Sequence, residues 1–145
     1  MSEFVEESLE QLLPIFERLH TVELLNVKEV NEFIKRCRNH EYRLQKTVKD
    51  PHDFVLYAEY LRDVLELIRI RRNRLKYFNK HNEIDGSIKA KIADVYRRCT
   101  DRFQGRAEVW RKRLDYLKKE NMSVRCSQAY FRALQVCNLS FTDLN

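Results

Sequence analysis

The sequence predicts an all-α protein, a helical array of antiparallel helix pairs behind an N-terminal capping unit. Three observations predict it. Only two Gly and two Pro occur among 145 residues, too few for the turns of an all-β fold or for a phosphate-cradling loop. Charged residues make up 34%, with Leu, Glu, Lys and Arg abundant, the composition of helices with solvated faces. The chain also repeats itself. "FVLYAEYL" (54–61) aligns with "WRKRLDYL" (110–117), and "DVYRRCT" (94–100) aligns with "QAYFRAL" (128–134). Tyr96 and Tyr130 are 34 residues apart, the period of a TPR-like solenoid with two helices per unit.

Each element has a local reason. Leu9, Leu12, Leu13, Phe16 and Leu19 recur at helical spacing within residues 3–20, where Pro14 must kink the helix or mark a fresh start. Asn26 followed three residues on by Glu29 is a capping-box arrangement. It opens a helix to about residue 49 that buries Val30, Phe33, Ile34, Cys37 and Leu44. Asp50, Pro51 and Asp53 open the next, as cap, first-turn proline and dipole-facing carboxylate. No breaker follows before Asn82, so a helix of about thirty residues is expected. Gly86-Ser87 is expected to start another, ending near Gly105. Two more follow at 106–120 and 124–137, with Ser123 as N-cap. The organisation is a cap over residues 1–49, then a long helix and repeat pairs over 50–145. Phe54, Tyr60, Tyr96, Trp110, Tyr116 and Tyr130 are the expected repeat core.

The composition excludes several functions. Cys37, Cys99, Cys126 and Cys137 form no CxxC pair, so a zinc knuckle lacks support and free thiols are expected. His20, His40, His52 and His81 show no metal-ligand spacing. No Ser-His-Asp order, paired-carboxylate site or Gly-rich loop stands out, so neither catalysis nor a cofactor or metal is expected. The acidic start "MSEFVEESLEQ" is unlike a signal peptide, and no apolar run approaches membrane-spanning length. A soluble intracellular protein is expected, with no membrane partner.

The net charge is +6 and the pI near 9.2, compatible with nucleic acid or an acidic partner. The densest basic stretch is "LIRIRRNRLKYFNKH" (67–81). Tyr57, Tyr60, Val64, Leu67, Ile68, Leu75 and Phe78 read as the apolar stripe of the long helix. Arg69, Arg72 and Lys76 fall opposite it, a row able to meet phosphates without reading sequence, or simply a solvated face. Arg71 points into the stripe, so a buried ion pair is expected, with Glu41 one possible partner.

"VWRKRLDYL", "AYFRALQV" and, less closely, "VYRRCTDRF" resemble the half-a-TPR (HAT) repeat, with its Trp-opened first helix and Tyr-x-Arg-Ala-Leu second helix; Arg113 stands where that repeat usually has Tyr. "LLPIFERLHTVELLNVKEVNEFIKRCRNHEYRLQK", "DFVLYAEYLRDVLELIRIRRNRL" and "EIDGSIKAKIADVYRRC" narrow the match. In this order they resemble the N-terminal region of the U3 small nucleolar RNA-associated protein 6 family. The resemblance implies a HAT-repeat scaffold of the small-subunit processome, in its UTP-B subcomplex, acting in the nucleolus on 18S ribosomal RNA maturation. It implies β-propeller subunits as protein partners, and U3 snoRNA or pre-rRNA as partners through backbone contacts. A HAT scaffold of pre-mRNA processing, or a sequence-independent RNA-binding domain, are the alternatives.

Members of that family are several hundred residues long, so a fragment or short form is expected. The last helix carries Val124, Cys126, Ala129, Tyr130, Ala133, Leu134, Val136 and Cys137, more apolar surface than one neighbour covers. An apolar edge from Tyr130, Phe131, Leu134 and Cys137 is expected, covered by the tail Leu139–Leu144, a partner or a second copy.

Overall fold

The computed structural model describes residues 2–76 and 81–137, apart from the side chains of Ser2, His81 and Asn82. These form seven α-helices: α1 (Ser2–Glu10), α2 (Leu13–Thr21), α3 (Val27–Leu44), α4 (Pro51–Leu75), α5 (His81–Arg102), α6 (Ala107–Lys119) and α7 (Ser123–Val136). The protein is all-α among the described residues. Phe78 and the Leu139–Leu144 tail lie outside them.

The chain divides into two compact units, residues 1–92 and 93–145. The 49/50 boundary expected from the sequence therefore falls inside the first unit, where α3 packs against α4.

In the first unit, α1 and α2 also pack on α3. Pro14 sits in the first turn of α2, so the proline starts a helix rather than kinking one. The capping box is complete: Asn26 Oδ1 accepts from Glu29 N–H (2.9 Å) and Glu29 Oε1 accepts from Asn26 N–H (3.1 Å). Asp50 Oδ1 accepts from His52 N–H at 2.9 Å. The core holds Val5, Leu9, Leu12, Phe16, Leu19, Phe33, Cys37, Tyr57, Leu61 and Ile68, with Ile84, Ile88 and Ile92 from α5.

Two boundaries depart from expectation. α4 stops at Leu75, and Lys76 closes it in the left-handed region (φ 54°) with its N–H on Arg72 O. α5 then begins at His81, so Gly86-Ser87 lies inside a helix instead of opening one. Glycine costs a helix about 1 kcal/mol, but Ile84 and Ile88 on either side are fully buried, and their burial outweighs it.

In the second unit, α6 packs on α7. Val95, Tyr96, Cys99, Val109, Trp110, Leu114, Tyr116, Leu117, Cys126, Ala129 and Ala133 are buried. Met122, not Ser123, holds the N-cap place of α7, with no side-chain cap bond.

Candidate interaction surface

α4 is the longest helix, and its register decides which basic side chains face solvent. Its buried row is Phe54, Ala58, Leu61, Leu65, Ile68 and Arg72, in alternating steps of four and three, a single helix face. That face lies about a quarter turn from the stripe expected from the sequence: Tyr57, Val64 and Ile68 of that stripe are buried, but Leu67 and Leu75 are exposed.

The expected basic row is corrected accordingly. Arg72 is not on the solvent side; it succeeds Ile68 on the buried row and is only 4% exposed. Its guanidinium donates twice to Asp85 of α5, Nη1 to Oδ2 at 2.8 Å and Nη2 to Oδ1 at 2.7 Å. This planar fork on a carboxylate pairs the buried charge, while Arg72 Nε is buried without a hydrogen-bond partner among the described residues. Arg69 is half-buried, 3.9 Å from Glu66. Lys76 is exposed at the helix end.

Arg71 is ion-paired, with Glu29 rather than Glu41. Nη1 donates to Glu29 Oε1 (2.6 Å) and to the Leu24 carbonyl (3.1 Å). Its side chain is 30% exposed, so it sits at the edge of the core. The same Glu29 closes the capping box, and Arg71 holds its carboxyl below the ordinary carboxylate range. Arg71 therefore ties the start of α3 to α4.

Glu41 belongs to another network. Fully buried on α3, it accepts from Ser8 Oγ of α1 at 2.8 Å, and Lys91 Nζ of α5 lies 3.4 Å away. Lys91 Nζ also donates to Ser8 Oγ at 2.8 Å. A Ser-Lys contact is a nucleophile arrangement in some hydrolases, but all three groups are shut from solvent. The hydroxyl's proton is already given to Glu41. The arrangement is a polar lock among three helices. Its sequence signal is faint: Glu41 and Lys91 each put a charge beside an apolar row, with opposite sign.

What α4 does present to solvent is Asp63, Glu66, Leu67, Ile70, Asn73 and Arg74, one face at helical spacing. Ile70 is 49% exposed. Leu67 and Ile70 thus stand as apolar side chains among charges of both signs.

Of the aromatic repeat positions, Phe54, Tyr96, Trp110 and Tyr116 are buried, while Tyr60 and Tyr130 are half-buried. Trp110 Nε1 donates to Gln104 O at 2.9 Å, and the Tyr96 and Tyr116 rings lie 5.4 Å apart. Arg113 stacks over Trp110 at 5.5 Å and donates to Thr100 Oγ1 at 3.0 Å. Tyr130 lies under Lys118 Nζ at 5.0 Å. At the edge of α7, Phe131 is 71% exposed and Tyr130, Leu134 and Cys137 are half-buried.

A family model described as U3 small nucleolar RNA-associated protein 6 matches residues 9–93. The human U3 small nucleolar RNA-associated protein 6 homolog is 29% identical over 136 residues, 94% of this chain and 23% of that protein. The mouse homolog is 27% identical over the same shares. The Schizosaccharomyces pombe U3 small nucleolar RNA-associated protein 6 is 29% identical over 119 residues, 82% of this chain and 24% of its own length. The chain thus spans under a quarter of the length of these curated relatives. With more than half of its residues matched by the family model, the chain belongs to the U3 small nucleolar RNA-associated protein 6 family.

Proposed function

We propose that this chain is a non-catalytic scaffold in small-subunit ribosome biogenesis, acting in the nucleolus within a U3-containing assembly that processes the 18S ribosomal RNA precursor. Family membership supports the pathway. The observation that carries the scaffold reading is the α4 face, where Leu67 and Ile70 stand exposed beside Asp63, Glu66 and Arg74. Such a face offers a partner apolar area with a charged rim and holds no reacting groups. The partner it suits is a protein, and we assign it to a β-propeller subunit of the processome. Arg69 and Lys76, at the border of that face, contribute charge toward the partner or nearby RNA. In this reading the second unit is a HAT-type pair, with Trp110 and Tyr116 as its core. The half-buried residues of α7 are a further contact edge, for a neighbouring repeat or a second copy.

The test is affinity purification of the tagged chain from nucleolar extract, with bound proteins and RNAs identified. Leu67→Glu with Ile70→Glu should strip processome subunits while far-UV circular dichroism stays unchanged. Retention of those subunits by the double variant, or co-purification of splicing factors instead, overturns the reading.

A further inference from the structure

A second charged surface lies on α3. Glu32, Lys35, Arg36, Asn39, His40 and Arg43 line a cavity of about 280 Å³, all on one side of the helix. That is close to the lower limit for small-molecule pockets. Three cations stand there against one carboxylate, and that carboxylate is engaged, because Arg36 Nε donates to Glu32 Oε1 at 2.8 Å. Among the described residues, neither Lys35 nor Arg43 has a carboxylate within ion-pair distance. The cavity thus holds net positive charge that the fold does not cancel.

Its aromatic side is rigid. His40 stacks on Tyr57 with ring centroids 5.1 Å apart and planes within 3°, and on Tyr60 at 5.3 Å. The Arg36 guanidinium lies 6.0 Å above the Tyr60 ring, and Phe33 meets the same ring edge-on at 6.2 Å. His40 Nδ1 is buried without a hydrogen-bond partner among the described residues. Three residues beyond Asn39, Tyr42 stands 44% exposed, on the shoulder of the same face.

We propose that this face of α3 binds the backbone of single-stranded RNA, one phosphate held by Lys35, Arg36 and Arg43 beside His40, with a neighbouring base stacked on Tyr42. Converging cations beside an exposed aromatic ring are what a flexible polynucleotide uses: phosphates for the charges and a base face for the ring. An acidic peptide would use the cations and leave Tyr42 idle. The site is separate from the α4 face and stands whether or not that face docks a protein. The groups facing His40 support the assignment. Burial and then Arg43 and Arg36 press the imidazole below its ordinary pKa, against smaller opposing effects of Glu41 and of Asp53 on α4. A bound phosphate offsets the two guanidiniums, so RNA binding raises the His40 pKa.

The experiment is fluorescence anisotropy of the 145-residue chain with a labelled uridine oligonucleotide of about twelve residues, from roughly 50 to 200 mM salt. Lys35→Ala with Arg43→Ala should lower affinity about tenfold or more. It should also flatten the log–log salt dependence by roughly 0.7, one phosphate contact's worth for a single strand. Tyr42→Ala should weaken binding without altering that slope. Lys112→Ala with Lys119→Ala, both exposed on α6, should leave binding unchanged. An NMR titration of His40 should show its pKa rising with the oligonucleotide. No binding by the wild type, binding insensitive to Lys35 and Arg43, or equal displacement by polyglutamate overturns the proposal. Because Lys35 and Arg43 are exposed, unchanged helicity serves as the folding control. Loss of the processome proteins in the α4 variant is read separately, so the two ideas fail independently.

Discussion

Replacing Arg72 with Met tests whether the Arg72–Asp85 pair behaves as a buried salt bridge. Met keeps an apolar stem along the row of Leu61, Leu65 and Ile68 while removing the charge, so cavity formation contributes little. What remains is the Asp85 carboxylate, its side chain 12% exposed, stripped of two charge-assisted hydrogen bonds of 2.8 and 2.7 Å. Leaving one partner of a buried pair costs about 3–5 kcal/mol, and the slight exposure of Asp85 places the loss near the lower end, about 3 kcal/mol. Against a domain stability of roughly 5–15 kcal/mol, that is a large fraction. Adding Asp85→Leu should recover most of it, because an apolar pair of similar volume is about as stable as a buried ion pair. Urea denaturation followed by far-UV circular dichroism measures both. A single variant within about 1 kcal/mol of wild type, or a double variant no better than the single, refutes the reasoning.

Arg71→Ala should cost less, about 1–2 kcal/mol by the same assay, because its pair with Glu29 is partly open to water; a loss matching that of Arg72→Met refutes this. His40 binds a proton less readily when folded than when unfolded, so stability should be full above pH 6.5 and decline as pH falls below it, until the lower folded pKa is passed. His40→Gln should flatten this part of the urea-midpoint profile, and an unaltered slope counts against it. Burial pushes the Cys37 and Cys99 thiols up to about 12, leaving on the order of one in ten thousand as thiolate at pH 8. Iodoacetamide should therefore label half-buried Cys137 well before either; equal labelling of Cys37 in the folded chain would contradict its burial.

Local signals in the sequence were enough for much of the fold. The capping box at Asn26 and the Asp50–Pro51 start need only neighbours along the chain, and each forms as expected. What could not be read locally is the register of α4. Leu67, Leu75 and the aromatic residues outweigh Arg72 on any hydropathy pattern, yet Arg72 is buried because Asp85, thirteen residues on, supplies the counterion. The same holds for Glu41, whose partners lie 33 and 50 residues away in α1 and α5. Gly86 read as a helix start because its breaking tendency is local, whereas the burial of Ile84 and Ile88 that overrides it is tertiary. The α3 cavity also stayed hidden. Its charges are less dense in sequence than those of 67–81, and only the structure shows how few of them are neutralised.

The Ser8–Glu41–Lys91 lock has a consequence for the chain as it is made. Ser8 and Glu41 leave the ribosome early, whereas Lys91 emerges 83 residues after Ser8. Until then, closing α1 onto α3 would seal in a carboxylate that lacks its ammonium, an unfavourable state. The first helices can therefore collapse loosely but not dry out, and their apolar faces stay within reach of chaperones through most of the unit's synthesis. Completion waits on a contact of long sequence separation, which slows folding. A piece ending at residue 49 would remain in that waiting state, whereas one ending at Ile92 carries the whole lock.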